Sequence, residues 1–145
     1  MPTTPLAQVP GKSVASGVVA VAQRDAAFGL MRASLSAKGM QLSLDIMKTD
    51  QTLREINNDT LRYGEEKYFF TIMGKPSATE PWGWQLDGHH LIVNFFVLGE
   101  QVVMTPLFVG SEPVIARAGK HAGTSILQAE QGKGLEMIRG LSDTQ

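Results

Sequence analysis

The spacing of apolar residues changes at Lys67, and that change decides which class of fold is open to the chain. From Ala22 onward, Phe28, Met31 and Leu35 recur at three and four positions while Arg24, Arg32 and Lys38 turn elsewhere, and Leu42, Ile46, Leu53 and Ile56 continue the stripe. That is the period of helices with one buried face. Gly39 is expected to end the first helix, and Thr49-Asp50 offers a fresh N-cap that would divide the second. Beyond Lys67 the run YFFTIM, Tyr68 to Met73, is aromatic and β-branched and is closed by Gly74 and Pro76. It reads as a strand. The expected fold is therefore α+β, with N-terminal helices packed on an antiparallel sheet of three or more strands and a C-terminal helix behind them.

Two further strands, His89 to Leu98 and Gln101 to Val109, flank Gly99-Glu100, where glycine suits the first central position of a tight hairpin turn. Pairing Leu98 with Gln101 sets Val97 against Val102, Phe95 against Met104, Val93 against Pro106 and Leu91 against Phe108, an apolar face expected to carry core. The other face would hold His90, Ile92, Asn94 and Phe96, with Asn94 across from Thr105. Pro106 cannot donate to the ladder, which argues for an edge or a non-bonded position. Further on, Thr124 or Ser125 is expected to cap a last helix bearing Ile126, Leu127, Leu135, Ile138 and Leu141, weakened at Gly132 and Gly134. Residues 1–21, rich in Pro, Thr, Gly and Ser, read as a flexible tail before a single domain over 22–145. The closing Ser142-Asp143-Thr144-Gln145 has the pattern that opens another helix.

At 145 residues, 43% hydrophobic and 19% charged, the chain has the composition of one ordinary globular domain. A net charge of -1 with no dense run of Lys or Arg lacks the electrostatic footprint of nucleic-acid binding. With no cysteine, a metal would be held by His, carboxylate or carbonyl groups. Lys12 to Ala22 has a faint export-signal pattern, so export stays open, and no apolar stretch approaches a membrane span.

Chemistry is concentrated in Pro81 to Leu91, PWGWQLDGHHL, which with Glu80 gathers two tryptophans, two acids and two of the three histidines. Imidazole and carboxylate are the usual ligands of zinc or non-haem iron, and histidine also serves as a general acid or base near neutral pH. His89 and His90 are the candidate catalytic and metal-ligating residues. Neighbours on a regular strand point to opposite faces, so both grip one ion only if Gly88 permits a bulge or the pair precedes the strand. His121, in a glycine-flanked loop, is expected to be exposed, and Glu80 and Asp87 to be solvated turn residues. Trp82, Trp84 and Asn94 are the candidate ligand-binding residues: the indoles at i, i+2 share one side of a strand, as a stacking platform for a sugar or simply as core.

The block YFFTIMGKPSATEPWGWQLDGHHLIVNFFVLGEQVVMTPLFVGSEP, with AQRDAAFGLMRASLSAKG upstream and LSDTQ downstream, resembles the bacterial family called domain of unknown function 3500. The resemblance covers most of the chain from Ala22 onward, and its matching positions are Trp82, Gly83, Trp84, Gly88, His89, His90 and Asn94. Ile92, Val93, Phe96 and Ser111-Glu112 depart from the family pattern without removing a histidine. The resemblance assigns no activity. It implies truncation, since family members look longer at both ends and carry further histidines beyond the point where this chain stops. The expected function is a metal-dependent, hydrolase-like enzyme using a divalent metal such as zinc or iron at the paired histidines. The competing expectations are a carbohydrate- or peptide-binding module built on Trp82 and Trp84, and a structural fragment. A small-molecule or glycan ligand is the expected partner.

Overall fold

The computed structural model describes residues 3–5 and 21–142. In chain order the elements are β1 (Thr3–Pro5), α1 (Val21–Ser34), α2 (Ala37–Asn57), β2 (Phe69–Met73), β3 (Trp82–Asp87), β4 (Leu91–Leu98), β5 (Gln101–Val103), β6 (Leu107–Val109) and α3 (Gln128–Arg139). This is the α+β arrangement the change of period implies. No helix among the described residues is long and apolar enough to cross a membrane.

The helical hairpin turns at Ser36, three residues before Gly39. Ser36 caps α2, its hydroxyl accepting from the Gly39 N–H at 3.1 Å. Gly39 thus lies in the first turn of α2 instead of ending α1. Nor do Thr49 and Asp50 divide α2. The Thr49 hydroxyl donates back to the Ile46 carbonyl at 2.8 Å, which satisfies it inside the helix, and both residues are buried. The buried stripe of α2 runs through Met40, Ser43, Ile46, Met47, Asp50 and Leu53, whereas Ile56 is exposed.

The sheet is antiparallel throughout, ordered β1-β2-β3-β4-β5 with β6 also on β4. The segment holding the two tryptophans is its central strand, β3. Trp84 stacks between Phe70 and Phe95 at centroid distances of 5.1 and 5.4 Å, and Leu86, Leu91 and Val93 continue the same core toward Ile46 and Met47. Gly83 serves a close approach: a Cβ there would stand 2.6 Å from the Phe95 carbonyl oxygen.

The hairpin begins in the expected register, Leu98 against Gln101 and Val97 against Val102, with Gly99 at φ +57°. It does not hold that register. Farther along, Val93 faces Leu107, Ile92 faces Phe108 and Leu91 faces Val109, one residue out from the regular pairing. The extra residue is absorbed at Met104 to Pro106, where the ladder breaks around a proline that has no N–H to donate. Phe108 is therefore half-exposed instead of core, and Asn94 faces Gln85 on β3 while its amide donates to the Pro106 carbonyl at 2.8 Å.

Thr3–Pro5 pairs with β2 at the sheet edge, Thr3 against Met73, where a tail was expected. The rest of the expected tail, most of the export-like stretch, and the S-x-x-Q pattern past Ser142 lie outside the described residues. After a bridge between Ile115 and Ser125, Ile126 is buried and Leu127 half-buried against the core. They precede α3, which starts at the left-handed Leu127 without a side-chain cap, so neither Thr124 nor Ser125 opens it. No residue of α3 is buried.

Among the described residues, a Cβ at Gly132 or Gly134 would meet nothing within 4 Å. Replacing both with alanine should stabilise α3 by about 1 kcal/mol per site. Amide exchange within α3 should slow by about fivefold per substitution. Unchanged exchange would contradict a helix limited by its own propensity.

Candidate functional site

Asp50 lies on the buried stripe of α2 and is 1% exposed. A carboxylate there costs on the order of several kcal/mol unless donors or cations answer it. Its partners therefore define the site. The Tyr68 hydroxyl donates to Oδ2, while His90 Nδ1 lies 3.0 Å and His89 Nδ1 3.5 Å from Oδ1. Burial first, and then the Asp50 charge, push the Tyr68 hydroxyl pKa far above the ordinary tyrosine range. Tyr68 stays protonated and remains a donor.

Two neighbouring histidines reach one carboxylate because they do not sit on a strand. β3 ends at Asp87 and β4 begins at Leu91, and the connection is closed by the Gly88 N–H donating to the Leu91 carbonyl at 3.0 Å. This is the arrangement in which the pair precedes the strand. It also means that His90 turns toward α2 instead of sharing a strand face with Asn94. The His90 carbonyl is held by the Gly110 N–H at 2.8 Å. Gly88 is needed here, because a Cβ would overlap the Tyr68 ring and displace the hydroxyl that holds Asp50. The imidazole centroids are 3.8 Å apart at an interplanar angle of 48°, and the Tyr63 ring lies 5.0 Å from His89. Exposure rises outward, with the His90 side chain 15% and the His89 side chain 38% accessible.

One donor atom from each of Asp50, His89 and His90 can be chosen so that all lie within 4.8 Å of one another. Tetrahedral zinc with bonds of about 2.1 Å needs ligand separations of about 3.4 Å. The Asp50–imidazole separations of 3.0 and 3.5 Å bracket that value. Two imidazoles and one carboxylate are also the donor set of non-haem iron sites with open positions. Tyr68 completes the pattern by fixing the carboxylate from behind, as outer partners of metal ligands do.

The sequence profile of a family described as protein of unknown function (DUF3500) matches residues 9–145. The chain belongs to the DUF3500 family. No curated protein and no solved structure matches it.

The other candidate residues of this DUF3500 protein lie apart from the triad or are already engaged. Trp84 is fully buried with a ring on each side, and among the described residues its Nε1 has no hydrogen-bond partner. Trp82 is half-buried and donates from Nε1 to the Ser77 carbonyl at 3.0 Å. A cleft of about 500 Å³ does open beside His89, but its lining is Leu61, Arg62, Tyr63, Lys67, Phe69, Asp87 and Gly88, with neither indole in it. His121 is mostly buried instead of exposed: its Nε2 lies 2.6 Å from Glu65 Oε2, and Lys120 pairs with the same carboxylate. The Lys120 N–H donates to Glu55 at 3.1 Å, so the glycine-flanked loop is pinned to the end of α2 and contributes nothing to the triad. Asp50 and Tyr68 are the site residues that motif reading passes over. The signal that could have found Asp50 is its helical spacing between Met47 and Leu53, a charged residue on a stripe otherwise facing core, though beside Thr49 it reads as a cap.

Removing the Tyr68 hydroxyl leaves one buried Asp50 oxygen without its donor. Tyr68→Phe should lower stability by about 1–3 kcal/mol in urea unfolding, and a wild-type midpoint would mean that Asp50 does not depend on it. The Glu65 pin makes a separate prediction in acid. Burial raises the Glu65 pKa, but bonds from Lys120 and His121 and their charges outweigh it and leave the value below the ordinary 4.5. The stabilisation is present above about 4.5 and disappears as pH falls through the lower folded value. Glu65→Gln should therefore cost about 0.5 kcal/mol at neutral pH, a small value because the pair is partly screened. It should also flatten the loss of stability below pH 4.5, and parallel acid curves for the two proteins would contradict the pin.

Proposed function

We propose that this protein is a metal-dependent, hydrolase-like enzyme whose divalent cation, zinc or iron, is held by Asp50, His89 and His90. The observation that carries the reading is the convergence of both imidazoles on the Oδ1 of one buried carboxylate. Three protein ligands leave a coordination position free, the general plan of catalytic as opposed to structural zinc sites. The charge balance also favours it, because a divalent ion would answer the buried Asp50 carboxylate directly.

Each ligand has a distinct part. Asp50 supplies the anionic ligand, with Tyr68 holding its second oxygen so that the first stays aimed at the imidazoles. His90, fixed by the Gly110 bond to its carbonyl, is the inner imidazole, and His89 is the outer one that borders the cleft. A divalent ion held by these residues would supply Lewis acidity for hydrolytic chemistry. The carbohydrate-binding alternative finds less support, because both faces of Trp84 are occupied by aromatic neighbours.

The test is metal analysis of the untagged chain after dialysis against zinc or iron. Near-stoichiometric metal is expected for the wild type, with loss of at least about tenfold in affinity for His90→Ala and Asp50→Asn. Equal metal content in wild type and both variants, or none in any, would overturn the proposal.

A further inference from the structure

We infer that the cleft beside His89 binds a small aromatic monocarboxylate, with Arg62 and Lys67 receiving the carboxylate and Tyr63 and Phe69 the ring. The cleft is about 500 Å³, within the range of small-molecule sites. Phe69 pairs with Asp87 at the end of the β2–β3 ladder, which brings Lys67, two residues before β2, to the same end of the sheet as the turn carrying His89. Phe69 is an exposed aromatic on the sheet, and the Tyr63 ring already lies against His89. Together they give a ligand ring two flat surfaces next to the outer imidazole.

The charges select the ligand class. Among the described residues Lys67 has no carboxylate within ion-pair distance. Arg62 uses its Nε on Asp59 at 2.6 Å, leaving its two terminal nitrogens for the bidentate geometry that a carboxylate matches. The lining also holds the Asp87 carboxylate, and Asp59 answers Arg62 from outside it, so Lys67 is the cation without an ion-pair partner here. A monoanion suits one such ammonium better than a phosphate dianion does, and a cationic ligand would meet Lys67 and Arg62 directly. The inference rests on the metal reading only for its link to chemistry, since His89 is the member of the triad that lines the cleft and connects the bound carboxylate to the centre.

The test uses the full chain, prepared with and without zinc, and three probes of one shape: benzoate, neutral benzamide and cationic benzamidine. Binding is followed through the amide signals of Lys67, Gly88 and His89 in two-dimensional NMR. Benzoate should bind about tenfold more tightly than benzamide, and benzamidine should not perturb these signals. Lys67→Gln and Arg62→Gln should each weaken benzoate by about threefold to tenfold and leave benzamide unchanged, while Phe69→Ala should weaken both. Absence of a benzoate preference, or a preference that neither cation variant reduces, would overturn the cleft assignment even where zinc binds at the triad. Benzoate selectivity that depends on Lys67 in a protein that takes up no zinc would support the cleft and remove the metal reading instead.

Discussion

A carboxylate placed on the inward stripe of a helix has to be met by donors, and the groups that meet Asp50 tie together parts of the chain far apart in sequence. Tyr68 comes from the entry to β2, and the imidazoles from the turn between β3 and β4. The interaction thus fastens the helical layer to one end of the sheet. An unpaired Asp50 would oppose folding by an amount comparable to the net stability of a small domain. The same group that is costly to bury therefore fixes how α2 sits against the strands, and the placement of the imidazoles is part of the fold as much as of any chemistry.

Backbone geometry is arranged around that contact. Gly83 lets β3 approach β4 closely, and Gly88 leaves room for the Tyr68 ring to reach Asp50. Trp84, sealed between two aromatic rings, makes β3 a rigid support ending at Asp87, one residue before the turn that carries the histidines. Groups set at the end of a well-packed strand hold their geometry better than groups on a free loop. Beyond the turn, the Gly110 bond to His90 and the Ser111 hydroxyl, 2.8 Å from Thr49 Oγ1, close the arrangement from the other side.

The fold class was legible because the change from helical to strand spacing at Lys67 is strong, and the tight turn at Gly99 fixed the first pairs of the hairpin. Three features were not, each for a local reason. Thr49-Asp50 has the composition of a cap, and only tertiary burial keeps the helix running through it. The one-residue slip between β5 and β6 arises where Pro106 leaves the ladder, and alternation alone carries no record of an inserted residue. The core reading of Ile126 and Leu127 was sound, but α3 begins after them and buries nothing of its own. In the site, the histidines stood out by their rarity, while Asp50 and Tyr68 are ordinary residues whose meaning lies in where α2 and the entry to β2 bring them. The tryptophans stood out equally and serve packing instead.

The metal centre exists only if the three converging side chains form one coordination sphere. Anomalous diffraction at the zinc edge, from crystals of the intact chain equilibrated with one equivalent of zinc, tests this most directly. A single strong peak is expected about 2.0–2.2 Å from an Asp50 oxygen and from one nitrogen of each of His89 and His90. A peak bound elsewhere, or ordered imidazoles still hydrogen-bonded to Asp50 with no peak between them, would contradict it.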